Sequence, residues 1–204
     1  MRPKLILAIA LAAAPVAAAA QGAVTVYGGY RSGGGFADAT TGRSIDLKDS
    51  GSVAASVDIP IDPSRQVQVF VSHQRSEFEA GVSPGSPAAG LNGQSVSVTH
   101  FHLGGTNFFD GQIGRGPYVV GGLGATLFSP GTSGYSSEWR PSMSIGIGYQ
   151  WPLGERLAVR VEARGYFVLV NSEGGLFCSG GCVITVKGDT FTQGEVQVGL
   201  SLRF

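Results

Sequence analysis

Apolar and polar residues alternate with a period of two through nearly all of the chain beyond residue 20. The C-terminal stretch shows it best. Thr192, Gly194, Val196, Val198, Leu200, Leu202 and Phe204 take one face, and Gln193, Glu195, Gln197, Gly199, Ser201 and Arg203 take the other. Successive side chains of a strand point to opposite sides, so this stretch reads as a strand with one apolar and one polar face. Seven more segments repeat the pattern, at 24–34, 50–59, 66–78, 95–105, 117–128, 140–150 and 157–170. Within 95–105 the apolar phase moves from Val96 and Val98 to Phe101 and Leu103, which predicts a β-bulge near His100.

The links between these eight strands alternate in length. Short ones span 60–65, 106–116 and 151–156, with Pro60, Pro63 and Pro152 as turn residues; longer ones span 35–49, 79–94, 129–139 and 171–189. Short turns at one end and long loops at the other are the asymmetry of outer-membrane barrels. A periplasmic β-sandwich, the competing fold, has no reason to alternate its loops so regularly. Aromatic residues sit at strand ends, as a belt at the lipid headgroups requires: Tyr149 and Trp151, Phe108 and Phe109, and Phe204, with Phe128 and Trp139 for the other rim. The fold class expected is therefore all-β, an eight-stranded antiparallel transmembrane β-barrel.

Composition narrows the compartment. Arg2 and Lys4 precede an apolar run over 5–14, and Ala18, Ala19 and Ala20 offer a cleavage site before Gln21. Residues 1–20 thus read as a signal peptide and 21–204 as one barrel domain, exported to the outer membrane. Without Arg2 and Lys4 the chain keeps 12 of its 14 basic residues against 14 acidic ones, and no basic cluster suits nucleic acid. No apolar run beyond the leader approaches 18 residues, so strands alone would cross the bilayer. In an exported chain Cys178 and Cys182, in the segment CSGGC, are expected to form a small disulfide in an external loop.

Three stretches carry a family resemblance that covers essentially the whole chain after the leader. The terminal strand Val196-Gln197-Val198-Gly199-Leu200-Ser201-Leu202-Arg203-Phe204 looks like the last strand of outer-membrane barrels. The segment Gly116-Pro117-Tyr118-Val119-Val120-Gly121-Gly122-Leu123-Gly124-Ala125 and the tetrapeptide Gly146-Ile147-Gly148-Tyr149 resemble strands of the small outer-membrane β-barrel superfamily, which includes OmpA-type, OmpX-type and OmpW-type barrels. The resemblance implies that Phe204 is the assembly signal read by the barrel-assembly machinery. Outer-membrane lipid and lipopolysaccharide are the other expected partners, and the chain is expected to be monomeric. The superfamily shares a fold and not one activity.

Three groups of residues are candidates for chemistry. Arg31, Arg160, Glu162, Arg164, Glu195 and Arg203 share the polar phase of strands that become neighbours once a barrel closes. A gate, an ion path or a paired-carboxylate site would use such a cluster; so would a plug of ion pairs, since eight strands enclose just enough room for side chains. His73, His100 and His102 lie on adjacent strands, but a metal needs three or four convergent ligands. A lipid A-deacylating enzyme of this superfamily would carry Ser two residues after His, where His100 is followed by His102 and His102 by Gly104. The expected function is a non-enzymatic barrel with a charge-plugged lumen and external loops, serving envelope integrity or surface interaction, without a cofactor. The alternatives are an OmpW-like narrow channel for small or hydrophobic solutes and a lipid-modifying enzyme.

Overall fold

The computed structural model describes residues 22–37, 44–80, 93–131, 136–170, 175–178, 182–185 and 190–204. Residues 1–20, expected to be a leader, lie outside these residues. Eight long strands build one closed wall: β1 (Ala23–Gly33), β4 (Ser50–Pro60), β5 (Arg65–Ala80), β6 (Ser95–Phe108), β7 (Gly116–Pro130), β8 (Glu138–Pro152), β9 (Leu157–Leu169) and β12 (Thr190–Arg203). Each pairs antiparallel with the next, and β12 returns to β1, so the ring runs β1-β4-β5-β6-β7-β8-β9-β12 without an edge. The closing register sets Arg31 opposite Glu195, and the next one sets Glu195 opposite Arg164.

The alternation read from the sequence becomes an inside and an outside. Leu123 is 70% exposed and Ile147 65%, although both are large and apolar. A wall that turns such residues outward on every strand suits hydrocarbon. At one end, the turn end, the connections are tight. Ile61 N–H donates to the Arg65 carbonyl at 2.9 Å and Leu153 N–H to the Leu157 carbonyl at 2.8 Å. Asp62 accepts backbone N–H groups from Ser64 and Arg65, both at 2.8 Å, beside the Arg65 guanidinium. Those bonds, the Ser64 amide foremost, hold its carboxyl down at about 2.

At the opposite, loop end, two short strands lengthen the sheet above the ring. β2 (Gly35–Ala37) pairs with β3 (Ser44–Leu47), and β3 pairs with the end of β5. The segment 35–49, expected to be loop, is thus partly strand, anchored by Lys48 N–H on the Glu77 carbonyl at 2.9 Å. A separate ribbon joins β10 (Gly175–Cys178) to β11 (Cys182–Thr185), with Cys178 directly opposite Cys182 in the backbone register. The cysteine side chains lie outside the described residues.

Strand β6 departs from its expected form. Its pairing with β5 and with β7 runs in constant register from end to end, so there is no bulge at His100. Val96 and Val98 instead point inward and are fully buried, while Phe101 and Leu103 face out. The apolar phase changes because the lumen itself changes, from polar in the middle to apolar at the loop end. Phe128 and Phe108, expected in the aromatic rims, are also buried inside, Phe128 in that apolar loop end and Phe108 in a second apolar cluster at the turn end. Trp139, Tyr149, Trp151, Phe109 and Phe204 do stand exposed on the outside.

Candidate functional site: the filled lumen

The interior holds three arginines and three carboxylates among its buried residues, and each arginine is ion-paired. They stack as successive layers. Nearest the turn end, Arg160 Nη1 meets Asp58 Oδ2 at 3.0 Å and donates to the Tyr27 hydroxyl at 3.2 Å. Its Nε donates to Gln150 at 2.8 Å and its Nη2 to Gln66 at 3.2 Å. Asp58 also accepts from Ser56 Oγ and Gln68 Nε2, both at 2.8 Å. One ion pair therefore draws residues of β1, β4, β5, β8 and β9 into a single cross-brace.

In the middle, Arg164 Nε meets Glu162 Oε1 at 2.8 Å, and its Nη2 donates to Gln68 Oε1 at 2.9 Å. Two residues apart on one strand share a face, so this pair is formed within β9 itself. Glu162 accepts from Tyr118 at 3.0 Å and from Gln197 at 2.8 Å. The Arg164 guanidinium lies 3.7 Å from the centre of the Phe70 ring, a cation–π contact. The next layer pairs Arg31 Nη2 with Glu195 at 3.2 Å; Tyr166 OH donates to the same carboxylate, and Ser72 joins from β5. His100 stacks on Tyr166 at 4.0 Å, with the rings 5° from parallel.

Glycines make room for the rings. Tyr27 stands directly across from Gly199 and Tyr118 from Gly148. A Cβ on Gly199 would sit 2.5 Å from the Tyr27 ring, and one on Gly148 2.4 Å from Tyr118. The tyrosines thus lie inside the bore against bare backbone.

Above the charged layers the lumen turns apolar. Phe78, Val96, Val98, Phe128, Val168, Val170 and Phe191 are each at most 2% exposed. Phe128 and Phe191 meet edge to face at 5.3 Å. Gly34, with φ +96°, closes against Phe191, whose ring a Cβ would meet at 2.5 Å. At the turn end Phe108, Tyr118 and Val120 cluster with Ile113, beside an open vestibule of ≈ 680 Å³.

The expected cluster is thus divided. The structure brings together Arg31, Arg160, Glu162, Arg164 and Glu195, but leaves Arg203 at the turn-end rim, where its Nη2 donates to the Ile113 carbonyl at 3.0 Å. Asp58 was missing from the expected cluster; the signal was there, an acid in the inward phase of β4 alongside Ser56. The histidines do not converge. His100 and His102 point inward, whereas His73 lies on the outward phase with Nδ1 at 2.8 Å from Thr99 Oγ1. Among the described residues no group of His, Cys, Asp and Glu could hold a metal.

No protein-family description and no curated sequence matches this chain. Solved structures do. Neisserial surface protein A superposes with a TM-score of 0.58 at 12% identity, covering 90% of this chain and 97% of that one. The outer membrane protein AlkL, solved in lipid bilayers, gives 0.57 at 16% identity, covering 91% and 90%. This chain folds as a small outer-membrane β-barrel. The likeness extends over nearly the full length of both proteins and concerns the fold alone.

Proposed function

We propose that this barrel is a closed, non-enzymatic component of the outer membrane that supports envelope integrity or presents its loops for surface interaction. Two layers of side chains across the bore support this reading. Paired charges and tyrosines fill its middle, and an apolar layer fills its loop end. Water would have to enter the apolar layer and displace buried ion pairs to pass, and either step costs several kcal/mol. The narrow-channel alternative has the turn-end vestibule in its favour. That space includes Gln66 in its wall, and Gln66 is bonded to Arg160, so the vestibule ends at the first charged layer. The enzymatic alternative has the contact between His102 Nε2 and Ser142 Oγ at 2.9 Å. Among the described residues His102 Nδ1 has no partner to orient it, and both side chains are buried in the filled bore.

The test is a deletion strain assayed for uptake of a hydrophobic dye and of a small hydrophilic solute. Dye entry should rise and return to normal with the wild-type gene, while overexpression should leave solute uptake unchanged. Solute uptake that scales with expression would reject the closed barrel.

A further inference from the structure

The outer wall is apolar through its middle, and the pattern breaks on β4, β5 and β6 toward the loop end. Ala55, Val71 and Phe101 form one outward level in register. The level above is Val53, His73 and Thr99. The one above that brings Tyr30, Gly51, Arg75 and Ser97 side by side, with Ser50 Oγ bonded to the Arg75 carbonyl at 2.9 Å. Tyr30 is 58% exposed, as is Trp139, whose ring packs on Phe101 with centroids 5.4 Å apart. Exposed aromatics of this kind mark headgroup depth in a membrane wall.

Arg75 is exposed and among the described residues makes no ion pair. The carboxylate two residues along its own face, Glu77, is taken by Lys48 at 2.9 Å. Beside Arg75 lies a groove of ≈ 460 Å³ lined by Gly51, Ser52, Val53, His73 and Arg75. Its space exists because a side chain is missing: a Cβ on Gly51 would meet only a carbonyl at 4.0 Å. Thr99 occupies His73 Nδ1, which leaves Nε2 as the ring nitrogen for a ligand.

We propose that this groove binds the phosphate of a membrane-lipid headgroup, with Arg75 as the cation and His73 as a second polar contact. The proposal rests on the reading of this barrel as an outer-membrane component. A guanidinium at headgroup depth without a carboxylate meets phosphate as its commonest anion, and its planar fork binds phosphate through two bonds. The occupant is a lipid and not a free ion because the groove floor runs through Val53 into the apolar wall. An acyl chain attached to the phosphate would lie along Ala55 and Val71.

The experiment compares wild type with Arg75→Gln, with Gly51→Leu to fill the groove, and with Arg65→Gln at the turn end. Each is refolded into phosphatidylcholine vesicles containing a minor fraction of phosphatidic acid, extracted in mild detergent, and weighed intact by native mass spectrometry. Wild type and Arg65→Gln should retain a phosphatidic acid adduct. Arg75→Gln should lose about fivefold in occupancy, the effect of one cation at an anionic surface, and Gly51→Leu should lose it as well. Equal retention by all four proteins, each checked for folding by a shift in gel mobility on boiling, would overturn the site and leave the outer-membrane reading intact. Displacement of the lipid by millimolar inorganic phosphate would overturn the lipid assignment in favour of a free anion. Failure of wild type to insert into the vesicles would overturn both readings.

Discussion

The middle and the loop end of the lumen are equally buried and are built in opposite ways. The middle holds Arg31, Arg160 and Arg164 against Glu195, Asp58 and Glu162, each pair at 3.2 Å or less and bonded to further side chains. The loop end holds Phe78, Val98, Phe128, Val168 and Phe191 with no ion pair among them. A charge taken out of water demands its partner in fixed geometry, whereas an apolar side chain demands only volume. The middle therefore specifies which strands meet, and the loop end excludes water without specifying much. The contrast also explains the long polar side chains around the pairs, such as Gln66, Gln68, Gln150 and Gln197. They satisfy lone pairs and protons left over by the Arg160–Asp58 and Arg164–Glu162 pairs, whereas Arg31 Nε and Nη1 find no partner among the described residues.

That difference sets the order of sensitivity to mutation. Arg160→Ala should be the most damaging change, because it strands Asp58, fully buried, together with Gln66 and Gln150. A loss of about 3–5 kcal/mol is expected, read as a lower urea midpoint for unfolding in lipid vesicles. A loss below about 1 kcal/mol would mean that water reaches this layer and screens it.

Glu195→Ala should also lower resistance to unfolding, and replacing Arg31 with Met in the same protein should recover about 1–3 kcal/mol of that loss. Replacing Arg164 instead should recover less, since Arg164 is engaged by Glu162 at 2.8 Å. Equal recovery from either arginine would show that Glu195 is shared between its two register neighbours. At the loop end, Phe128→Leu keeps most of the volume and should cost only about 1 kcal/mol. A loss as large as that of Arg160→Ala would erase the contrast between the two regions.

The sequence made the wall legible and the bore only partly so. Period-2 alternation located all eight barrel strands because lipid outside and polar groups inside differ sharply in β12 and β9. It failed on β6, where the inward residues Val96 and Val98 resemble lipid-facing ones. Alternation reveals two faces but cannot tell a lipid face from an apolar lumen, so a change of environment along one strand looked like a bulge. The same ambiguity moved Phe108 and Phe128 from the rims to the interior. In the site, Arg31, Glu195 and Arg164 were legible as residues on the inward face of neighbouring strands, but which arginine Glu195 takes depends on Arg164 having turned to Glu162 on its own strand. Asp58 escaped because β4 is not a sequence neighbour of β9; it meets Arg160 only across the bore. Residues 35–49 read as loop because Gly33, Gly34 and Gly35 interrupt the pattern before β2 and β3 extend the sheet.

A bore sealed by its own side chains, as proposed above, passes no ions. Purified wild-type protein, refolded and shown to be heat-modifiable, can be reconstituted into planar bilayers and its single-molecule conductance recorded. No steady conductance above that of the bare bilayer is expected. Stable, ohmic current steps from the wild-type protein would contradict it, because ions would then be passing the layers that Arg160, Glu162 and Phe128 occupy.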